Sequence, residues 1–283
     1  MQIFIIYVIY PHIDRLNPTK SNNNLHSWQW RTWEGLPYLT CSLLEPWQHG
    51  FFTQQFSPRN PANLVTVLQP QAQVYRVKQV HGNKVFSSSE IAEQMVTPNW
   101  EELPQADGIL TEQAEQAVWV CTADCTPVLI ADEKTGQVAA VHAGWRGTAH
   151  KIVPQAIDRL LAQGSKLEDL RIAMGPAIAG EVYQVSTEVA VEVGASIIPQ
   201  TDTSESILSG LQEIPNAPIL PDPEIGKVRL DVRRVNELQL EQMGISGEQI
   251  AIAPYCTFQG IEHFFSYRRD KLKKVQWSGI VSV

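Results

Sequence analysis

The sequence contains little cysteine for its length. Four cysteines occur in 283 residues, and no two of them form a Cys-x-x-Cys pair. Domains that rely on disulfides are far richer in cysteine, so a disulfide scaffold is excluded. We therefore expect free thiols in a reducing compartment, the cytoplasm. Three of the cysteines are interpreted as core thiols: Cys41, Cys121 and Cys256.

Long apolar runs are also missing. The run Ile3–Tyr10 has eight residues, whereas a membrane span needs about 20, and no basic residues precede it as in a signal peptide. The polar stretch Asn17–Asn24 follows it. An extra strand is one interpretation, but we favour an N-terminal extension over residues 1–33 that could be poorly ordered. Residues 34–283 then form a single domain, and we expect no membrane partner.

Positive charge is scarce. Lys and Arg number 22 against 30 Asp and Glu, which gives a net charge of −8 and an isoelectric point near 5.4. An acidic surface repels phosphate backbones, so we expect no nucleic acid partner. An anionic substrate must then be met by a few local cations. The hydrophobic fraction of 43% is enough for a substantial core.

Short β-rich runs alternate with helical patterns from Leu36 onward, and no internal repeat is present. This mixture predicts an α+β fold of layered mixed β-sheets flanked by helices. The region 199–226, rich in Pro, Ser and Asp, predicts a surface excursion. Predicted strands include Val74–Val80, Leu170–Met174 and Phe264–Tyr267, and predicted helices include Ile152–Leu161, Ser186–Ile197 and Leu230–Met243.

Three segments place a metal-ligand residue at or near the end of an apolar strand, beside glycine or a turn. They contain His81, Cys125 and His142. Imidazole and thiolate ligands together suit zinc and also copper. Three protein ligands leave a fourth position open, as in catalytic zinc sites. We therefore predict a catalytic metal site, with zinc favoured over copper.

Plainer interpretations exist for each of these residues. A lone buried cysteine is usually a small hydrophobe, and a histidine at a strand end is often a satisfied polar group. The context of Cys125 favours function, because Asp124 interrupts an apolar stretch and Pro127 follows two residues later. The remaining histidines are interpreted as surface residues (His12, His26, His150) or left undecided (His49, His263).

Several longer strings make the sequence similar to a known family. They are KQVHGNKV, ADGILTE, TADCTPVLIAD, AAVHAGWRGTA, MGPAIAG and CTFQGIEHFFSYRRD. They resemble the YfiH-like laccase-domain family, named for polyphenol oxidases and now regarded as purine nucleoside phosphorylases. The resemblance runs in order from about Leu36 to Asp270, so residues 34–283 would be the catalytic domain.

The resemblance implies an enzyme with a zinc ion held by His81, Cys125 and His142. It also implies phosphorolysis of adenosine, inosine, guanosine and methylthioadenosine, with adenosine deamination at the same site. The partners are then a purine nucleoside and phosphate. We expect a monomer or a small homo-oligomer.

Cationic residues near these segments are candidates for substrate binding. Arg146 lies four residues after His142 in a glycine-flanked turn, and its planar guanidinium suits bidentate phosphate binding. Arg268 and Arg269 form a second cationic pair, although either could be structural. His49, beside an aromatic segment, is a further candidate for substrate binding.

Two aspartates and the cysteine are candidates for chemistry. Asp124 could orient a histidine or carry a proton, and Cys125 could act directly. Asp107, in Ala106-Asp107-Gly108, is the weaker candidate, because it also suits an ordinary turn.

One segment departs from the family pattern. The family carries Thr-Arg-x-Gly-Gly after a His-Gly-Phe segment, whereas here Gln54 and Gln55 follow Thr53. If the family arginine contacts phosphate, this protein would be slower or would prefer another substrate. The predicted metal ligands are unaffected.

The sequence bears on three alternative functions. A multicopper phenol oxidase is implausible, because the chain has seven histidines and no His-x-His pair. Hydrolysis of an amide, as in peptidoglycan editing, would use Cys125 as nucleophile or a zinc-bound water. A non-enzymatic binding module would not need a three-ligand site with an open position.

Overall fold

The computed structural model describes residues 26–94, 103–198 and 203–283. Over these residues the chain forms one domain of fifteen strands and eight α-helices. The strands are β1 (Trp28–Trp33), β2 (Leu36–Cys41), β3 (His49–Phe52), β4 (Gln73–Tyr75), β5 (Val85–Ser87), β6 (Gly108–Leu110), β7 (Gln116–Thr122), β8 (Thr126–Asp132), β9 (Val138–Ala143), β10 (Leu170–Met174), β11 (Gln184–Ser186), β12 (Ile219–Pro221), β13 (Lys227–Leu230), β14 (Ile250–Ile252) and β15 (Gln276–Val281). The helices are α1 (Pro61–Leu68), α2 (Ser88–Gln94), α3 (Trp145–Ala149), α4 (Ile152–Ala162), α5 (Thr187–Gly194), α6 (Ser204–Glu213), α7 (Val232–Gln242) and α8 (Tyr267–Asp270).

Two six-stranded mixed sheets form the centre of the domain. The first has the strand order β1-β2-β3-β15-β7-β4, and the second has the order β14-β10-β8-β9-β6-β5. A smaller sheet, β11-β13-β12, lies apart from them in the pairing scheme. This arrangement confirms the predicted α+β class with layered mixed sheets.

Strand β8 shows how the two central sheets pack. It is buried along its whole length, as a strand covered on both faces must be. Leu129 and Ala131 belong to the apolar cluster shared with the first sheet, which includes Val118 and Phe51. Val128 and Ile130 point the other way, into a cluster with α4 and α7. The alternation of side chains along a strand thus connects two cores.

Helices cover the outer faces. The apolar face predicted for α4 is fully buried at Ile152, Ala156, Ile157 and Leu160, and the chain turns at Gly164 with a φ of 101°. Helix α1 packs against the outer face of the first sheet, and α5 and α6 pack around the small sheet. Within the described residues no helix is long and apolar enough to cross a membrane.

The ordered sheet begins earlier than the predicted domain boundary at residue 34. Strand β1 lies inside the segment assigned to the N-terminal extension and pairs with β2 from Trp28 to Trp33. The aromatic side chains of Trp28 and Trp30 pack on the core between the sheets, which explains why these residues join the domain. Residues 1–25, which include the apolar run, lie outside the described residues.

Three local predictions were wrong. The predicted strand Val74–Val80 is a strand only as far as Tyr75, because the chain beyond it leaves β7 and the Lys78 N–H instead donates to the carbonyl of Pro104. Phe264–Tyr267 is not a strand, because residues 264–266 have no regular secondary structure and Tyr267 begins α8. The Arg269 guanidinium, not a neighbouring strand, binds the carbonyl of Phe264. The predicted surface excursion instead contains α6 and β12, apart from residues 199–202, which are not described. Leu211 of α6 is fully buried, so the segment contributes to the core.

Candidate metal centre and substrate site

The register of adjacent strands brings two predicted ligands together. In the β8–β9 pair, Pro127 lies opposite His142 and Thr126 lies opposite Ala143. Cys125 comes just before β8, so it lies beside the end of β9 that carries His142. On the other side of β9, the His142 N–H donates to the carbonyl of Asp107, just before β6. Three neighbouring strand ends therefore present Cys125, His142 and Asp107 to one place.

His81 reaches this place from a turn rather than from a strand. Its φ is 61°, in the left-handed region that non-glycine residues seldom adopt. The Asp107 carboxylate stabilises the turn by accepting the backbone N–H groups of Val80, His81 and Gly82 at 3.2, 2.9 and 2.8 Å. Asp107 thereby fixes the backbone from which the His81 ring projects.

The three predicted ligands form a compact group. One ligand atom from each of His81, Cys125 and His142 lies within 4.8 Å of the other two. The two imidazole rings meet edge to face, with centroids 4.7 Å apart. In a tetrahedral zinc site, adjacent ligand atoms are about 3.5 Å apart given the usual bond lengths. The group is therefore close enough to hold one such ion, and its donor set of two imidazoles and one thiolate suits zinc.

Asp107 also orients His142. The Nδ1 of His142 donates to Asp107 Oδ1 at 2.8 Å, so its Nε2 is left for a metal ion. Burial would raise the pKa of Asp107, but the hydrogen bonds from His142 and the backbone outweigh it and lower the pKa. The carboxylate is thus charged at neutral pH. The orienting role predicted for Asp124 therefore belongs to Asp107, although the sequence around Asp107 also suits an ordinary turn.

Charged neighbours in the site stabilise the thiolate form of Cys125 and the protonated form of His142. Burial raises the pKa of the Cys125 thiol, but His142 and His81 outweigh it and lower the pKa to about 6. Burial lowers the pKa of His142, but the Cys125 thiolate and Asp107 outweigh that effect and raise it to about 9. A stabilised thiolate is the species that coordinates metal ions.

Glycine is needed beside the thiolate. A Cβ on Gly144 would lie 2.9 Å from Cys125 Sγ and 3.4 Å from Cδ2 of His81. A side chain there would push two of the candidate ligands apart. This close approach accounts for one glycine of the Gly144-Trp145-Arg146-Gly147 segment.

Asp124 connects the ligand turn to two other segments. Its φ is 91°, and its carboxylate accepts hydrogen bonds from Thr257 Oγ1 and from the Arg268 backbone N–H, both at 2.7 Å. The Ile178 N–H donates to its carbonyl at 2.9 Å. With both oxygens bound in this way, Asp124 makes no hydrogen bond to any histidine that the structure describes. It positions the site instead.

Two of the predicted cations lie near the metal centre. Arg146 is exposed, with its guanidinium carbon 4.2 Å from the centre of the Trp145 ring. The guanidinium of Arg268 lies 4.6 Å from the Tyr183 ring and donates to the carbonyl of Gln184 at 2.7 Å. Among the described residues, neither arginine side chain forms an ion pair with a carboxylate. Both can therefore meet an anionic substrate.

Arg269 and His49 have structural roles instead. The guanidinium of Arg269 donates to three backbone carbonyls, those of residues 257, 258 and 264, and pairs with Asp270. His49 is buried, with Nδ1 bound to the Trp47 carbonyl and Nε2 accepting the Cys41 N–H, each at 2.8 Å. Neither side chain has a nitrogen left for phosphate, so the substrate roles predicted for them do not fit the structure.

The remaining thiols lie outside the ligand group. Cys41 is buried in the central core, as predicted. Cys121 and Cys256 are only partly buried, and Cys256 Sγ accepts the N–H of Ala179 at 3.3 Å. Burial raises the pKa of Cys121 to about 11, so this thiol stays protonated at neutral pH. Cys121 therefore lacks the stabilised thiolate of Cys125 and lies outside the group of candidate metal ligands.

The residues that replace the family motif face a loop near the site. The side-chain amide of Gln54 donates to the carbonyl of Ile261 at 2.8 Å. The backbone N–H of Gln54 donates to the carbonyl of His263. The Gln55 amide reaches the carbonyl of Glu262 at 3.4 Å. These neutral groups anchor the loop between Thr257 and Arg268, whose two ends bind Asp124.

The sequence matches the family described as "Multi-copper polyphenol oxidoreductase laccase" over residues 57–281. The chain belongs to this family. The structural neighbours of this laccase-domain protein include YlmD from Geobacillus stearothermophilus, with a TM-score of 0.74 and 22% identity over 89% of this chain and 98% of that one. Bacillus licheniformis YfiH is similar, with a TM-score of 0.72 and 23% identity over 90% and 99% of the two chains.

Relatives of this laccase-domain protein are named as enzymes. A purine nucleoside phosphorylase of Synechocystis is 54% identical over 90% of this chain and 97% of its own length. A purine nucleoside phosphorylase of Mycobacterium bovis is 32% identical over 71% and 69%, and an adenosine deaminase of an unknown prokaryote is 29% identical over 59% and 58%. These relatives show that the chain is an enzyme. The described residues contain one group of possible metal ligands, whereas a multicopper centre needs several.

Proposed function

We propose that this protein is a zinc-dependent purine nucleoside phosphorylase that also deaminates adenosine at the same site. Its nucleosides are adenosine, inosine, guanosine and methylthioadenosine, and its co-substrate is phosphate. The names of the relatives support this assignment. Free cysteines support a cytoplasmic location.

One observation carries the proposal. The group formed by His81, Cys125 and His142 is connected to Arg146 and Arg268. Arg146 follows two residues after Gly144, which approaches Cys125 Sγ, and the Arg268 N–H binds Asp124, the residue before Cys125. Neither guanidinium forms an ion pair with a carboxylate among the described residues. On a chain with a net charge of −8, two such guanidiniums are a local exception. A metal site next to cations suits a reaction that joins a neutral substrate to a phosphate anion.

The residues of the chain divide the work. His81, Cys125 and His142 would hold the zinc, and Asp107 keeps the Nδ1 proton on His142 so that Nε2 faces the metal. When bound, zinc supplies Lewis-acid stabilisation of negative charge at the reacting centre. Arg146 and Arg268 bind and orient phosphate by charge-assisted hydrogen bonds.

The test is a product assay on metal-analysed protein. Adenosine with phosphate should yield adenine and ribose 1-phosphate, and adenosine without phosphate should yield inosine slowly. Arg146→Ala should weaken phosphorolysis more than deamination, because only phosphorolysis needs bound phosphate. Arg171→Ala is the matched control, since Arg171 of β10 pairs with Glu133 and is not a candidate for phosphate binding. Equal losses of both reactions in Arg146→Ala would contradict the role of Arg146, and no nucleoside turnover by zinc-loaded protein would contradict the function.

One geometric feature favours the alternative, amide hydrolysis with Cys125 as nucleophile. The order Cys125, His142, Asp107 resembles a nucleophile, base and orienting carboxylate. Mass spectrometry after incubation with an activated amide separates the two functions. A covalent adduct on Cys125 of the zinc-loaded enzyme would favour hydrolysis, whereas our proposal expects none.

A further inference from the structure

The segment after β10 lies against the candidate site. It begins with Met174-Gly175-Pro176 and crosses the turn between β7 and β8. The Ile178 N–H donates to the Asp124 carbonyl at 2.9 Å, and the Thr257 N–H donates to the carbonyl of Ala177 at 3.0 Å. These bonds hold the segment against the residue that precedes Cys125.

Tyr183 lies at the end of this segment in a fixed position. Its backbone N–H donates to Gly180 and its carbonyl accepts the N–H of Leu230, at 3.2 and 3.0 Å. A Cβ on Gly180 would lie 2.7 Å from Asp231 Cβ, so the chain passes closer to α7 than other residues would allow. The backbone of Tyr183 is therefore set by the fold and not by a ligand.

Arg268 fixes the ring of Tyr183 from the other side. The guanidinium lies 4.6 Å from the ring centre, and the backbone N–H of the same arginine binds Asp124. Asp124 thus anchors both the segment that carries Tyr183 and the arginine that covers its ring. Since Asp124 adjoins Cys125, this closed set of contacts places Tyr183 at the rim of the metal centre.

The hydroxyl of Tyr183 is a hydrogen-bond donor without a partner among the described residues. Burial and the charges of Cys125 and Asp124 raise its pKa, Arg268 and Arg146 lower it, and together these effects raise the pKa to about 12. All four of these groups belong to the site, which agrees with the placement of the ring. The phenol keeps its proton at neutral pH and can donate it in a hydrogen bond.

We propose that the Tyr183 hydroxyl binds phosphate, as a third donor beside the guanidiniums of Arg268 and Arg146. An anion is the fitting ligand, because two cations flank the phenol and form no ion pair with a carboxylate in the described part of the chain. The nucleoside is uncharged and gains less from this position. This inference rests on the proposed function.

Isothermal titration of inorganic phosphate into zinc-loaded enzyme, together with KM for phosphate, tests the inference. Tyr183→Phe should raise the dissociation constant and KM for phosphate about tenfold, as expected for a lost hydrogen bond to a charged group. Zinc content and deamination of adenosine should stay at wild-type values. Tyr38→Phe is the matched control, because Tyr38 is also near an arginine, Arg31, but belongs to β2.

The outcomes separate this inference from the proposed function. Phosphate binding that is weakened in Tyr183→Phe and normal in Tyr38→Phe supports the role of Tyr183. Unchanged phosphate binding in Tyr183→Phe, with weakened binding in Arg146→Ala, overturns the inference and leaves the function intact. Equal weakening in both tyrosine variants also overturns it. If zinc-loaded wild-type enzyme binds no phosphate, both proposals fail.

Discussion

Two buried histidines of this protein have opposite acid–base properties. His49 in β3 is 5% exposed and His142 in β9 is 3% exposed. Burial lowers the pKa of His49 to about 4, because its partners are neutral backbone groups. The pKa of His142 rises to about 9 despite burial, because its partners are the Cys125 thiolate and the Asp107 carboxylate.

The comparison shows that the partners of a buried histidine, not its burial, distinguish structure from function. The Nε2 of His49 accepts the backbone N–H of Cys41, as a backbone carbonyl otherwise would. His49 thus contributes to the fold as a neutral side chain. His142 is surrounded by anions that would attract a cation, whether a proton or a metal ion. Partners also separate the two arginines: the guanidinium of Arg269 is fully used by backbone carbonyls and Asp270, whereas that of Arg146 has no carboxylate partner in the described part of the chain.

The largest effect is expected from removal of the Cys125 thiolate, one of the anions that distinguish His142 from His49. Cys125→Ala should reduce zinc affinity and turnover about 1,000-fold or more, since zinc sites supply on the order of 10 kcal/mol of binding free energy. Metal analysis, turnover and far-UV circular dichroism measure this change. Cys256→Ala is the control and should keep zinc, because Cys256 lies outside the ligand group. Full activity in Cys125→Ala would refute the site.

Replacement of aspartate by asparagine should have different effects at Asp107 and at Asp124. Asp107→Asn should weaken zinc binding about 10- to 100-fold, since it removes the charge behind His142. Asp124→Asn should leave zinc affinity nearly unchanged and raise KM for phosphate, because Asp124 holds the Arg268 backbone. Competition with a chelator measures zinc affinity in both variants. Equal zinc losses would show that the roles assigned to the two aspartates are wrong.

Acid should destabilise the fold through His49. Its folded pKa of about 4 lies below the usual unfolded value of 6.5, so the unfolded state binds the proton first. The stability that neutral His49 contributes is therefore present above pH 6.5 and is lost as the pH falls towards 4, by about 3 kcal/mol in total. Urea unfolding of wild type and His49→Gln at pH 7 and pH 5 measures this effect. The free energy of unfolding should be higher for wild type at pH 7, and its difference from that of the variant should be smaller by about 2 kcal/mol at pH 5. Parallel losses of stability in the two proteins would contradict this.

The smallest effect is expected from a hydrogen bond between two neutral groups. Gln54→Ala removes the hydrogen bond from the side-chain amide to Ile261 and should lower the free energy of unfolding by about 1 kcal/mol. The backbone bond to His263 remains, so zinc content should not change. Urea unfolding and metal analysis test this, with Gln69→Ala as a surface control. A loss of zinc in Gln54→Ala would mean that the loop controls the metal site directly.

Much of the fold follows from local patterns in the sequence. The apolar period of α4 and the apolar run of β10 predicted these elements closely, because each depends on which residues must leave water. The wrong strand at Phe264–Tyr267 depended on a partner that sequence periodicity does not reveal, the side chain of Arg269. The boundary near residue 34 shifted for a similar reason, since β1 is defined by its pairing with β2.

The candidate ligands were indicated by the sequence alone, because few residue types bind zinc and three residues of these types, His81, Cys125 and His142, occur beside turns at strand ends. Which aspartate serves His142 was decided by the tertiary structure, since Asp107 lies 35 residues away along the chain and reaches it only through the β6–β9 pairing. No motif indicated Tyr183. Its hydroxyl reaches the site through contacts among Asp124, Ile178 and Arg268, and contacts between distant segments exist only in the folded chain.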